Sequence, residues 1–254
     1  MKRVKLVVAY DGTRYCGWQV QPNGVTVQGV LNEELSKLLG EKILTIGASR
    51  TDAGVHALGN VAVFDTSARM PAEKISYALN TRLPQDIRIQ SSEEVSGQFH
   101  PRFCKTIKTY EYKILNRKFP DPTKRLYSFF YYYPLDEKRM QQGADYLVGK
   151  HDFKSFCTAK PEITDTVRTI YSLAVTRQED MITLRISGNG FLYNMVRIIA
   201  GTLIRVGGGV WEPEYVRKIL EGKDRELAGE TARPEGLTLM EIQYPDSGDV
   251  TGKC

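Results

Sequence analysis

Two hydrophobic periods alternate along this chain in a fixed order, and that order constrains the fold more than any other feature. Residues 4–10 read as a strand. Residues 26–39 read as a helix, with Thr26 to cap it, Gly40 just past its end, and Val27, Val30, Leu31, Leu35, Leu38 and Leu39 on one face. Strand patterns at 42–48 and 60–64 flank a long polar loop. A second helix at 71–80 turns Ile75, Ala78 and Leu79 inward, and a strand follows at 86–90. The second part repeats the order: a strand at 107–115, a helix at 136–148, strands at 167–177 and 181–187, and an apolar helix at 191–205. A helix at 212–221 and a strand at 237–244 follow.

Split β-α-β units in tandem suit an α+β fold: two halves, each with an antiparallel sheet and helices packed on one side. The expected division is an N-terminal half, 1–106, a C-terminal half, 107–245, and a flexible polar tail, 246–254. The chain has 254 residues, 41% of them hydrophobic, enough for such cores.

Composition narrows the function classes. The apolar runs are too short to cross a bilayer. Met1-Lys2-Arg3 leads directly into a strand pattern with no signal-peptide profile, so the expected location is cytoplasmic. The four cysteines are scattered, and the three histidines form no metal-ligand pair, so no metal is expected. A net charge of +5 hints at a polyanionic partner.

The loop Gly47-Ala48-Ser49-Arg50-Thr51-Asp52-Ala53-Gly54-Val55-His56-Ala57 carries the chemistry. It is longer than a hairpin needs, and long loops in compact domains are often functional. It sets a carboxylate beside an arginine among small residues, which let a planar ligand approach the backbone. An aspartate so held can act as a nucleophile. Taken locally, Thr-Asp-Ala-Gly is equally a good turn sequence.

The nine residues Ser49-Arg50-Thr51-Asp52-Ala53-Gly54-Val55-His56-Ala57 resemble the catalytic motif of the tRNA pseudouridine synthase A family. The likeness extends over most of the chain. It includes Tyr10-Asp11-Gly12-Thr13 with Gly17-Trp18-Gln19, and Leu79-Asn80 with Leu83-Pro84 and Asp86-Ile87. Phe99-His100-Pro101-Arg102-Phe103, Lys108-Thr109-Tyr110-Glu111-Tyr112, Gly149-Lys150-His151-Asp152-Phe153, Asn194-Met195-Val196-Arg197 and Glu235-Gly236-Leu237 complete it. Pro101 departs from the family's usual alanine. The resemblance implies a pseudouridine synthase fold, its two halves forming a continuous, mainly antiparallel sheet with helices packed on it, a homodimer, and no metal or organic cofactor. It also implies conversion of uridine to pseudouridine at tRNA positions 38, 39 and 40 in the anticodon stem-loop, with the base flipped into a cleft.

By the same resemblance Asp52 is the catalytic aspartate, attacking the sugar or removing a ribose proton. Tyr110 stands against the uracil, for stacking and proton removal from C5. From spacing alone a core role for Tyr110 is equally open, since Lys108, Tyr110, Tyr112 and Ile114 alternate onto one strand face. Gly190, Asn194, Arg197 and Gly201 fall on one stripe of the apolar helix. A buried arginine there needs a partner, whose loss costs about 3–5 kcal/mol. The resemblance makes that partner Asp52; snorkelling to water is the other reading. Arg50 and Lys108 are substrate-binding candidates, Arg50 either filling the gap of a flipped base or holding a phosphate. Gln19 and His56 either contact RNA or tie loops together.

The basic and aromatic residues from Arg117 to Tyr133 suit RNA binding, but aromatics on both faces of 129–133 point more to a buried or dimer-facing strand. A different pseudouridine synthase subtype with another tRNA target is one alternative, and two readings lie outside this activity. One is a tRNA-binding protein with a dead site, against which the intact Asp52, Tyr110 and Arg197 set argues. The other is a phosphotransferase suggested by Val63-Phe64-Asp65-Thr66, which lacks a second aspartate at Ser67.

Overall fold

The computed structural model describes residues 1–158 and 165–245, so the tail expected at 246–254 lies outside the described residues. The fold is α+β, with a large, mainly antiparallel sheet and helices. The chain divides into two compact units: Met1–Ile107 together with residues from Leu239 onward, and Lys108–Thr238.

The first unit opens with β1 (Lys2–Tyr10), which turns Val4, Leu6, Val8 and Tyr10 inward. Then come α1 (Val27–Leu39), β2 (Ile46–Gly47), β3 (His56–Thr66), α2 (Ala72–Asn80) and β4 (Ile87–Val95). β1 lies between β3 and β4, antiparallel to both. The ends of α1 fall where the sequence put them. The Thr26 hydroxyl accepts from the Gly29 amide at 3.2 Å, and Gly40 takes the left-handed conformation at φ 69. α2 packs on β4.

The strand expected over 42–48 shrinks to Ile46–Gly47. Side chains of α1 take up the backbone groups that a ladder would use. The Ile43 amide donates to Ser36 Oγ at 2.9 Å, and the Thr45 amide to Asn32 Oδ1 at 2.9 Å. Gln28 Nε2 donates to the Thr45 carbonyl at 2.6 Å. Such side-chain bonds compete with sheet pairing.

The second unit contains β5 (Ile107–Asn116), β6 (Phe129–Tyr131), α3 (Glu137–Asp145), β7 (Gly149–Asp152), β8 (Val167–Gln178), β9 (Met181–Gly188), α4 (Met195–Gly207) and α5 (Tyr215–Gly222). The strands run β5-β9-β8-β7, with β6 parallel to β5. α3 packs on α4 and β8. α4 begins at Met195 rather than 191, because Asn194 is left-handed (φ 61) and the preceding residues form a turn. Gly190 therefore leaves the stripe expected to join it to Arg197.

β6 is shorter than its aromatic run. Asn116 pins the segment: its Nδ2 donates to the carbonyls of Tyr131 and Tyr133 at 3.0 and 2.8 Å, and its Oδ1 accepts from the Leu135 amide at 3.1 Å. Phe129, Phe130 and Tyr131 are half-buried, whereas Tyr132 and Tyr133 stand 52% and 66% exposed. The chain closes with β10 (Leu237–Gln243), which lies beside β3. Gly59 there leaves room for no side chain, since a Cβ would come within 2.7 Å of the Met240 carbonyl.

Candidate active site

The Asp52 loop runs between β2 and β3, and the N-terminal segment after β1 holds it from one side. Tyr10 ends β1, and its hydroxyl shares a 2.7 Å hydrogen bond with Thr51 Oγ1. The Trp18 amide donates to the Thr51 carbonyl at 3.0 Å, and the Gly54 amide to the Tyr15 carbonyl at 3.3 Å. Gly17 makes this contact possible. It sits at φ 85, and a Cβ there would lie 2.6 Å from the Thr51 carbonyl oxygen.

Asn60 of β3 holds the other side. It is fully buried, and its Nδ2 donates to the Ser49 carbonyl at 3.1 Å and the Tyr10 hydroxyl at 3.3 Å. Its Oδ1 accepts from the Ser49 amide at 3.3 Å. Satisfied buried polar networks of this kind fix one conformation. Asp52, half-buried, is thus carried on a backbone bonded to β1, to the segment after it and to β3. Sequence reading gave Tyr10, Thr51 and Asn60 no role; the match at Tyr10-Asp11-Gly12 was the available signal.

Tyr15 anchors the same segment farther along. Its hydroxyl donates to Asp86 Oδ1 at 2.7 Å, and burial first, then Asp86, pushes its phenol well above the ordinary range.

The other candidates on this unit have distinct settings. His56 is 3% exposed, and its Nδ1 accepts from the Gly12 amide at 3.1 Å, so it ties the loop to the segment after β1. Gln19 donates to Gln28 Oε1 of α1 at 2.9 Å. Arg50 is exposed. Asp65, from the phosphotransferase pattern, is engaged by Arg3 through two hydrogen bonds of 2.8 and 2.7 Å.

In the second unit, β5 carries Tyr110 and Tyr112 on one face. Tyr112 is fully buried, and its hydroxyl donates to the Arg233 carbonyl at 2.8 Å. Burial, and then the charge of Glu235, raises its phenol far above the ordinary range, while Arg197 and Arg233 oppose that shift. Tyr110 is 6% exposed and meets Phe191 edge to face, with centroids 5.2 Å apart. Lys108 is half-buried, opposite Gly188 of β9. Arg197, also half-buried, donates through Nε to the Ala232 carbonyl at 2.7 Å and through Nη1 to Asn194 Oδ1 at 3.0 Å. These two bonds fix the plane of the guanidinium.

A fixed carboxylate loop, a buried tyrosine with a hydroxyl, and a bonded arginine are the components that acid–base or nucleophilic chemistry on a nucleoside needs. Against known proteins, the tRNA pseudouridine synthase profile matches residues 6–104 and 144–245. The chain belongs to the tRNA pseudouridine synthase family. It is 50% identical over 244 residues to a tRNA pseudouridine synthase A of Thermoanaerobacter pseudethanolicus, a match covering 96% of this chain and 100% of that one. The tRNA pseudouridine synthase A of Brevibacillus brevis is 49% identical over the same shares. As a member of this family the chain is an isomerase. No helix among the described residues is long and apolar enough to cross a membrane, and those residues hold no cluster of three or more metal-ligating side chains.

Proposed function

We propose that this enzyme converts uridine to pseudouridine at positions 38, 39 and 40 of the tRNA anticodon stem-loop, with Asp52 as the reacting carboxylate. The reading is carried by the nine-residue motif lying on a loop that Tyr10, Gly17 and Asn60 hold in place. The target base leaves the stack to reach that loop. The N1–C1′ bond breaks, Asp52 either bonds C1′ or removes a ribose proton, the uracil turns, and C5 joins C1′. C5 then gives up its proton, and N1 gains one. Tyr110 packs against the uracil and takes part in that proton transfer. Arg197 pairs with the Asp52 carboxylate, and Arg50, Lys108, Gln19 and His56 belong to the substrate-binding set.

The enzyme acts as a cytoplasmic homodimer without metal or organic cofactor. The exposed rings of Tyr127, Tyr132 and Tyr133, at 51%, 52% and 66%, support an interface at that segment. Sedimentation showing only monomer at micromolar concentration would overturn the dimer.

Asp52→Asn tests the chemistry. The amide has the shape of the carboxylate but neither its charge nor its basicity. The variant folds, binds tRNA and releases no tritium from C5-labelled uridine. Release near the wild-type rate would put the nucleophile elsewhere. Pseudouridine mapped outside positions 38–40 would overturn the target assignment.

A further inference from the structure

After β4, the segment from Phe99 to Cys104 forms a tight turn. The amides of Phe103 and Cys104 both donate to the His100 carbonyl, at 3.1 and 3.3 Å. Its flanks are anchored. Phe99 and Cys104 are buried with Val63, and Phe99 meets Tyr244 edge to face at 5.1 Å. Arg3 Nη1 donates to the Phe99 carbonyl at 3.0 Å, and the Tyr244 hydroxyl to the Pro101 carbonyl at 3.1 Å.

This anchored turn projects an apolar ring into solvent. Phe103 is 81% exposed, yet its ring is ordered by stacking on His100, with centroids 4.0 Å apart and planes 16° from parallel. The Arg102 amide donates to His100 Nδ1 at 3.3 Å, which leaves the imidazole proton on Nε2. Burial, then the charges of Arg102 and Arg3, lowers the His100 pKa, so the ring beneath Phe103 is uncharged at neutral pH.

Arg102 feels Arg50 as a like charge. Burial, and then the positive charge of Arg50, lowers the Arg102 pKa. Neither guanidinium has a carboxylate partner among the described residues. Two unneutralised arginines whose charges act on each other disfavour one another until an anion joins them, and the paired non-bridging oxygens of a phosphodiester suit a guanidinium fork. Arg50 is also two residues from Asp52 on the same bonded loop. A stacked aromatic beside a cationic pair is how proteins hold single-stranded nucleic acid.

We propose that this turn is a seat for one unpaired nucleotide adjoining the target uridine, its base on the outer face of Phe103 and its phosphate between Arg50 and Arg102. The seat's place beside the target rests on the assignment of Asp52 to the reaction; the seat itself does not. Hydrogen bonds play little part in this contact, so the seat accepts any base. Tolerance of that kind suits an enzyme that meets several neighbouring sequences.

The test reads binding of an anticodon stem-loop RNA to the full chain carrying Asp52→Asn, so that turnover does not intervene. Phe103→Leu keeps an apolar group but removes the plane, and weakens binding about 10-fold; Phe103→Tyr keeps the plane and the affinity. An abasic nucleotide at one position beside the target weakens binding to the parent by a similar factor and weakens binding to the Phe103→Leu chain no further. Arg102→Ala lowers the slope of log affinity against log salt by about 0.7, the value for one phosphate contact with a single strand, and Arg102→Lys restores it. Leucine binding as well as phenylalanine, with additive losses at every abasic position, overturns the seat and leaves the Asp52 assignment standing. An unchanged salt slope in Arg102→Ala also overturns it, as does a change in oligomeric state without a change in RNA affinity. Asp52→Asn turning over at the wild-type rate overturns the seat's place beside the target, while the stacking cycle still decides the seat.

Discussion

Gly17→Ala should damage catalysis through a backbone contact alone. Gly17 has φ 85, a region where an L side chain costs about 1–2 kcal/mol. The new methyl would also lie 2.6 Å from the Thr51 carbonyl oxygen, 3.1 Å from the Asp52 carbonyl carbon and 3.2 Å from the Ala53 nitrogen. To reach ordinary contact the Thr51 carbonyl must recede by about 0.8 Å, and it is bonded to the backbone that carries Asp52. Gly40→Ala is the control. Gly40 is also left-handed, at φ 69, and a Cβ there meets nothing within 4 Å. Both variants bear the backbone strain, and only Gly17→Ala bears the overlap. The difference between them in urea unfolding should be about 1–3 kcal/mol, the usual cost of forcing extra volume into a packed place. Tritium release should fall about 100-fold in Gly17→Ala, the order expected when a reacting group moves by nearly an ångström, and stay near wild type in Gly40→Ala. Equal stabilities together with wild-type turnover in Gly17→Ala would refute the claim that close backbone packing sets the Asp52 loop.

The two tyrosines of β5 should separate. Tyr110→Phe is expected to keep tRNA affinity and lose turnover, whereas Tyr112→Phe should keep turnover and lose about 0.5–1.5 kcal/mol of stability, the net worth of its hydrogen bond to the Arg233 carbonyl; tritium release and urea unfolding read the contrast. A pH effect follows from Arg3 and Asp65. The Arg3 hydrogen bonds, against a smaller effect of burial, hold Asp65 below the usual carboxylate range. A depressed acid stabilises the fold fully above its unfolded pKa of about 4 and loses that contribution as pH falls through the lower folded value. Wild type should therefore exceed Asp65→Asn in stability at neutral pH, and the gap should close in acid; a gap that widens below pH 4 would contradict the assignment.

Elements bounded by local chemistry were legible in the sequence. α1 begins at Thr26 and ends at Gly40 because one hydroxyl and one left-handed residue suffice. Segments decided by distant partners were not. Residues 42–45 have strand composition, but Ser36 and Asn32 of α1 claim their amides. α4 starts late because a left-handed asparagine cannot be distinguished in sequence from a helical one. β7 is not legible, because Gly149-Lys150-His151-Asp152 has no apolar alternation. At the candidate site, the Asp52 motif stood out, while the roles of its supports depended on contacts across 41 residues for Tyr10 with Thr51 and 11 for Asn60 with Ser49. The sequence left two readings for His56; its burial and its bond to Gly12 come from the fold. Arg102 is legible only as part of the matched Phe99–Phe103 segment, because Arg50, whose charge acts on it, lies in a separate stretch of sequence.

β10 belongs with the first unit although it is made last. From Ile107 to Leu239 the ribosome must add a whole second unit, roughly 7 to 26 s of synthesis at ordinary rates. During that interval the β3 edge that β10 will cover has no partner from its own unit, and an uncovered edge recruits foreign strands. A nascent chain of this enzyme is thus most vulnerable after its first hundred residues have folded, and a stop codon just before Leu237 would leave a protein containing the entire Asp52 loop with one side of its sheet unfinished.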